Sequence, residues 1–321
     1  MSVDILKTLA DSTKDKSLKF GGGTDTPTSQ DQLVKHILSN NDTQNIIKDK
    51  LKYPIDLVLD AGYSFETKEV LYTAFCTDDT TPGFIRSDVF VYLDSYPLYS
   101  DLSSLGEKTE SLYAELNSLP RTDAGRNAAF YEFYYKIKNP LTSSQEYVTP
   151  TYYLSQLIPV SVLNNGVHMP IAGLNRGVLS DVLYCSENPL GDRKEELFGD
   201  AFNYSESTST TTYFASQRTR EPKTSNTALQ FINNSLTTNI IVKELERLGR
   251  EYLFEYNDAI TLANLRKSLN SYVQDYVVKN TLSYASVNVE KDPTSPETLQ
   301  IQLNIKFVGT VEVIKIDLTV E

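Results

Sequence analysis

Two carboxylates sit where α/β enzymes place catalytic groups: Asp60 and Asp94, each at the end of an expected buried strand. One could take a proton while the other gives it, but no third residue completes such a constellation, and an Asp before Ala-Gly or Ser-Tyr-Pro also serves as a turn residue. By residue type His168 and Cys185 are candidates for a nucleophile and its base and His36 for a metal ligand, but the chain's two histidines stand apart from any cluster of partners and read as structural or solvated. Gly21, Gly22 and Gly23 could cradle a phosphate, yet no Gly-Lys-Ser/Thr opening a helix follows them. Cys76 and Cys185 lie far apart with no paired ligand spacing and read as buried free thiols. The sequence therefore offers no metal site, no cofactor site and no nucleophile with its base.

The elements around these residues are more informative. Residues 55–59 are apolar except for Asp56, between Pro54 and Gly62, as in a strand buried on both faces. Residues 65–75 have helical spacing and residues 86–94 form the next strand, which implies a parallel pair with a crossover helix. Residues 112–119 suit a helix and the aromatic-rich residues 128–138 a strand. Residues 151–159 suit a short helix stopped by Pro159. Upstream, residues 1–45 look like a flexible arm or linker, with one short helix at 32–38 whose Leu33, Ile37 and Val34 share a face. The hydroxyl-rich residues 204–219 suit a strand and a long loop.

Two amphipathic helices follow. Thr227 can cap the first, with a stripe of Leu229, Ile232, Leu236, Ile240, Ile241, Leu245 and Leu248. Asp258 can cap the second, with Leu262, Leu265, Leu269, Tyr272, Val273 and Tyr276. Lys243, Glu244, Glu246, Arg247, Arg250 and Glu251 on one, with Arg266 and Lys267 on the other, form either a solvated face or a partner patch.

The C-terminal segment alternates more regularly than any other. Residues 285–289 and 299–307 form a hairpin across a Pro-rich turn. Ile314, Ile316, Leu318 and Val320 then fall on one side of a strand, opposite Lys315, Asp317 and Thr319. Burying those four side chains contributes roughly 6–12 kcal/mol, while ordering seven backbone residues costs roughly 7–14 kcal/mol. Alone the tail is marginal, so it needs a sheet to join, and a two-stranded hairpin leaves edges that an added strand satisfies.

Composition narrows the class. At 321 residues the chain holds one large domain or two of ordinary size, with 42 acidic residues against 30 basic ones and a net charge of −12. That balance argues against nucleic acid as the main partner. No apolar run approaches the roughly 20 residues of a membrane span, and no secretory signal is visible at Met1. Twenty-one tyrosines with no tryptophan suit either repeated subunit interfaces or an aromatic core.

The order of segments resembles the contractile tail sheath proteins of bacteriophages and, more distantly, the sheaths of related injection systems. The matching pieces are residues 54–62 (PIDLVLDAG), 166–177 (GVHMPIAGLNRG), 212–219 (TYFASQRT), 250–257 (REYLFEYN) and 311–321 (VEVIKIDLTVE). The resemblance implies an α+β chain: an arm at 1–45, an α/β core domain at 46–200, and a C-terminal sheath domain at 201–321 whose sheet is completed by inter-subunit strand exchange. Ile314, Ile316, Leu318 and Val320 would be the exchanged strand, and Val287, Val289, Ile301, Leu303 and Ile305 would belong to the receiving hairpin. Lys243, Arg247 and Arg250 become candidates for contact with the tail tube. The implied protein is a non-enzymatic structural subunit without cofactor, stacking as hexameric rings around a tube protein, next to baseplate and tail terminator proteins, and contracting to drive the tube through an envelope. It would be assembled in the host cytoplasm and carried in the virion, with no nucleic acid partner and no direct membrane insertion. A tail terminator or baseplate protein with the same core is the alternative, and an α/β enzyme using Asp60 or Asp94 a further one.

Overall fold

The computed structural model describes residues 27–39, 46–60, 62–97, 110–139, 142–222, 227–295 and 297–309. Helix α1 (Pro27–Ser39) lies on the helix that follows strand β1 (Leu57–Leu59), namely α2 (Phe65–Cys76). Its inner face is Val34 and Leu38, one turn apart, which leaves Leu33, expected inside, 47 % exposed. Strand β2 (Phe90–Asp94) pairs parallel with β1, so the expected strand, helix, strand unit is present.

The aromatic segment at 128–138 was expected as one strand and forms two. Strand β3 (Ala128–Tyr131), reached through helix α3 (Tyr113–Ser118), joins β2 in parallel. Strand β4 (Tyr135–Lys138) belongs to another sheet, between β5 (Gln145–Val148) and a later strand. The break lies at Phe133, whose φ of 78° turns the chain between them.

Helix α4 (Pro150–Asn165) runs through Pro159, which was expected to end it. Pro159 and Ser155 are both exposed, so the Ser155 carbonyl that lacks an amide partner faces water, while buried Leu154, Ile158 and Ser161 hold the opposite side. Helix α5 (Gly173–Arg176) and strands β6 (Val178–Leu179) and β7 (Val182–Cys185) come next, β7 completing the sheet of β5, β4 and β7.

After helix α6 (Asp192–Gly199), strand β8 (Phe202–Asn203) adds the fourth parallel strand beside β3. The core sheet thus draws a strand from beyond residue 200. Strands β9 (Ser205–Ser207) and β10 (Thr212–Phe214) build a small antiparallel sheet with β6. Alternation along β2 and β3 sends Val91, Leu93, Ala128 and Phe130 to a core under α2, and Phe90, Tyr92, Ala129 and Tyr131 to a second under α4. Tyr92, Tyr131 and Tyr135 are fully buried, so these aromatics belong to the core.

Helix α7 (Ile232–Arg250) links this body to the C-terminal layer: Ile232 packs in the second core, Ile241 and Leu245 in a third. Thr227, expected to cap α7, instead caps a short 3-10 turn (Ala228–Gln230) ahead of it by accepting from the Leu229 amide, and α7 begins after Phe231 with no side-chain cap; Asp258 caps helix α8 (Ala259–Val278) by accepting from the Thr261 amide at 2.8 Å. Leu265, Leu269 and Val273 of α8 bury against strand β11 (Leu282–Lys291), which pairs antiparallel with β12 (Leu299–Phe307). The exchanged strand expected at 314–320 lies outside the described residues.

Candidate assembly surface

The C-terminal hairpin has two unlike edges. The register sets Ala285 opposite Ile305, Val287 opposite Leu303 and Val289 opposite Ile301, joining all five residues expected of the receiving hairpin. Along the outer side of β11, Val287 donates its amide to Asn270 Oδ1 at 2.9 Å and accepts from Asn270 Nδ2 at 2.7 Å. Gln274 Nε2 donates to the Ala285 carbonyl and Arg266 Nη2 to the Val289 carbonyl, each at 2.7 Å. Residues 266, 270 and 274 recur every four positions, hence on one face of α8.

With the backbone groups of Val287 turned to α8, those of Ser286 and Asn288 turn to β12. The amides and carbonyls of Ile301, Leu303 and Ile305 therefore point away from β11. Among the described residues β11 is the only strand beside β12. Side-chain burial follows the same asymmetry. Ala285, Val287 and Val289 are buried, whereas Ile301 is 39 % exposed.

Next to the start of β12, the loop between α7 and α8 exposes Leu253, Phe254 and Tyr256, with Phe254 fully in solvent and at a φ of 70°. A cavity of about 480 Å³ runs between this loop, Leu245 and the β12 residues Leu299 and Ile301.

Lys243, Arg247 and Arg250 line one open cavity of about 450 Å³ on the outer side of α7. They differ in commitment. Lys243 Nζ donates to Asp56 Oδ1 at 2.8 Å and the Ile55 carbonyl at 2.9 Å, and lies 3.4 Å from Asp88, so it ties α7 to the start of β1. Arg247 pairs with Glu244 and Glu251 at 2.8 and 2.9 Å on its own helix. Arg250 is exposed.

Asp60 and Asp94 meet at the ends of β1 and β2, both buried. Asp60 Oδ2 pairs with buried Lys68 of α2 and accepts from the Asp94 amide at 3.1 Å, while its Oδ1 accepts from the Gly62 and Tyr63 amides at 2.9 and 3.0 Å. Thr151, in the first turn of α4, donates its hydroxyl to the Asp60 carbonyl at 2.6 Å with that oxygen also against Asp94 Oδ2, and donates its amide to Asp94 Oδ1 at 3.2 Å. Burial, with the Asp60 charge and against Lys68, raises Asp94 to about 7. The arrangement spends its acceptors on backbone and on Lys68 and Thr151, tying β1, β2, α2 and α4 together.

The histidines and Cys185 point to other partners. The Cys185 thiol, half-buried, donates to the Glu187 carbonyl and lies 3.5 Å from the Ser205 hydroxyl, and the His168 imidazole packs beside Gly166. The structure does not bring the pair together as a dyad. His36 is exposed on α1. Among the described residues no group of three or more His, Cys, Asp or Glu is placed to hold a metal, and no helix is long and apolar enough to cross a membrane. No sequence pattern marks Lys68, or Arg220, which is fully buried over the rings of Phe130 and Phe202.

No family model matches the sequence, and no curated protein matches it. Solved structures do share its fold. A chain of the contracted sheath complex of the extracellular contractile injection system PVC is 15 % identical, with a TM-score of 0.62 over 94 % of this chain and 83 % of that one. A chain of the contracted anti-feeding prophage baseplate is 18 % identical, with a TM-score of 0.64 over 92 % and 78 %. The sheath tail protein of Listeria innocua is 7 % identical, with a TM-score of 0.56 over 83 % of this chain and 56 % of its own length. The fold is that of contractile-system sheath proteins.

Proposed function

We propose that this chain is a structural subunit of a contractile tail sheath, polymerising with copies of itself. The observation that carries the reading is the hairpin with one edge of β12 unpaired among the described residues, followed in sequence by the alternating Ile314, Ile316, Leu318 and Val320. On a fold shared with sheath proteins, a marginal strand next to a vacant sheet edge supports strand exchange between subunits. In this reading the rings are six-membered and stack helically around a tail tube of a bacteriophage or related system, the tube meets Arg247 and Arg250, and the lattice contracts when the baseplate releases it. Lys243, engaged with Asp56, would sit behind that contact. The sheath domain begins within α7, where the third core starts, and the α/β body carries no active site.

Cutting the chain after Gly309 tests the exchange. The expected product is a folded subunit that no longer polymerises; a truncated chain that still forms long cylinders would overturn it. A baseplate or terminator role is the second reading, favoured by the likeness to a chain of the anti-feeding prophage baseplate. It predicts rings without extended tubes.

A further inference from the structure

We propose that the cavity between α4 and α7 binds a small uncharged molecule with an apolar body and an O–H or N–H donor, a phenol-type ligand. The cavity measures about 260 Å³ and is walled by Leu57 of β1, Tyr92 of β2, Ile158 of α4, Ile171 of the loop after it, and Ile232 and Leu236 of α7. Three polar atoms with no hydrogen-bond partner among the described residues belong to side chains in the same wall: Ser161 Oγ, Gln217 Oε1 and Asn233 Oδ1. Their residues are only 6, 7 and 4 % exposed. Buried polar groups in folded proteins are otherwise paired, so three unpaired ones around a single cavity mark a place prepared for a partner.

Asn233 sets what that partner must offer. Its Nδ2 donates to the His168 carbonyl at 2.9 Å and to Asn234 Oδ1 at 3.1 Å, so the amide cannot be turned over and Oδ1 is left as an acceptor. Gln217 is held nearby, because its backbone carbonyl accepts from the Ile232 amide at 3.2 Å. A donor on the ligand satisfies an acceptor that is costly to leave unpaired. Charge is not called for: Lys243 and Asp56, the charged residues of the lining, pair with each other at 2.8 Å. Water alone fits poorly, since the volume is that of roughly nine waters at about 30 Å³ each and each water needs two to four polar partners. The site stands independently of the sheath reading.

The chain has two methionines, Met1 and Met169, and Met169 lines the cavity. Methyl-labelled methionine therefore gives NMR on the full-length subunit one reporter at the site, assigned with Met169→Leu. The probes are p-cresol and toluene, alike in shape except for the hydroxyl. The expected result is a saturable shift of the Met169 methyl by p-cresol, with a Kd about tenfold below that for toluene, although toluene is the more apolar. Asn233→Leu is expected to abolish that preference while toluene still binds, and Gln217→Leu, expected to weaken it, decides the question should Asn233→Leu not fold. 4-Hydroxybenzoate, which adds a charge, is expected to leave the methyl unshifted at concentrations where p-cresol saturates. Equal binding of p-cresol and toluene, or 4-hydroxybenzoate binding as tightly as p-cresol, overturns the ligand class. A methyl unmoved by all three probes at millimolar concentration overturns the site and leaves a hydrated cavity.

Discussion

Lys68→Met tests whether the carboxylates at the strand ends brace the fold. Lys68 and Asp60 are both fully excluded from solvent and ion-paired. Methionine keeps most of the apolar stem, so the substitution removes the cation with little loss of packing. Breaking a buried pair by removing one partner costs about 3–5 kcal/mol. Asp60 retains the amides of Gly62, Tyr63 and Asp94, which places the expected loss at the low end, about 3 kcal/mol. At about 2.1 cal/mol/K of unfolding entropy per residue a chain of 321 residues shifts its Tm by about 1.5 °C per kcal/mol, so a drop of roughly 4–5 °C is expected at neutral pH. Circular dichroism melts on unassembled subunits measure it. Adding Asp60→Asn to Lys68→Met is expected to recover part of the loss. A Tm within one or two degrees of the parent would refute the brace and return these carboxylates to consideration as reactive groups.

Three further outcomes follow from single positions. Since the folded protein holds the Asp94 proton up to about 7, its stabilising effect is complete below about pH 4 and is lost as the pH rises through 7, by no more than about 1.4 kcal/mol per pH unit. Asp94→Asn is expected to flatten that part of a Tm profile against pH, and an unchanged slope would contradict the assignment. A Cβ at Gly125 would lie 2.8 Å from the Arg220 carbonyl oxygen, so Gly125→Ala is expected to lose about 1–3 kcal/mol in urea unfolding. Pro159→Ala restores an amide to the interior of α4 and is expected to raise stability by about 1–3 kcal/mol; a fall would show that the proline is required there.

Much of the fold was legible where one physical pattern governed a segment. The apolar strand at Leu57–Leu59, the helix Phe65–Cys76 and the parallel strand Phe90–Asp94 followed from apolar runs and helical spacing, although Leu57–Leu59, expected to be buried on both faces, is half-buried at the edge of the sheet. The cap at Asp258 and the register of Leu282–Lys291 with Leu299–Phe307 followed from short-range chemistry and strict alternation, whereas Thr227 caps only a 3-10 turn ahead of the helix it was expected to start. Patterns failed where a tertiary neighbour decided. Pro159 sits inside a helix on its exposed side, where the Ser155 carbonyl it leaves without an amide partner is at the surface, and the run at 128–138 divides at Phe133 between two sheets. Asp60 and Asp94 were visible as strand-end carboxylates, but Lys68, eight residues after Asp60, carries no mark in sequence of being the cation between them. The ladder of Arg266, Asn270 and Gln274 was hidden for a similar reason: spacing places them on one face, and only the fold shows that this face meets a strand edge.

Electron microscopy of the purified, concentrated full-length protein tests the central claim most directly. The account predicts long hollow cylinders built from stacked rings, since each subunit would offer a strand and present a vacant edge. Monomers at every concentration would contradict it, and isolated rings that never stack would move the protein to a terminator or baseplate role.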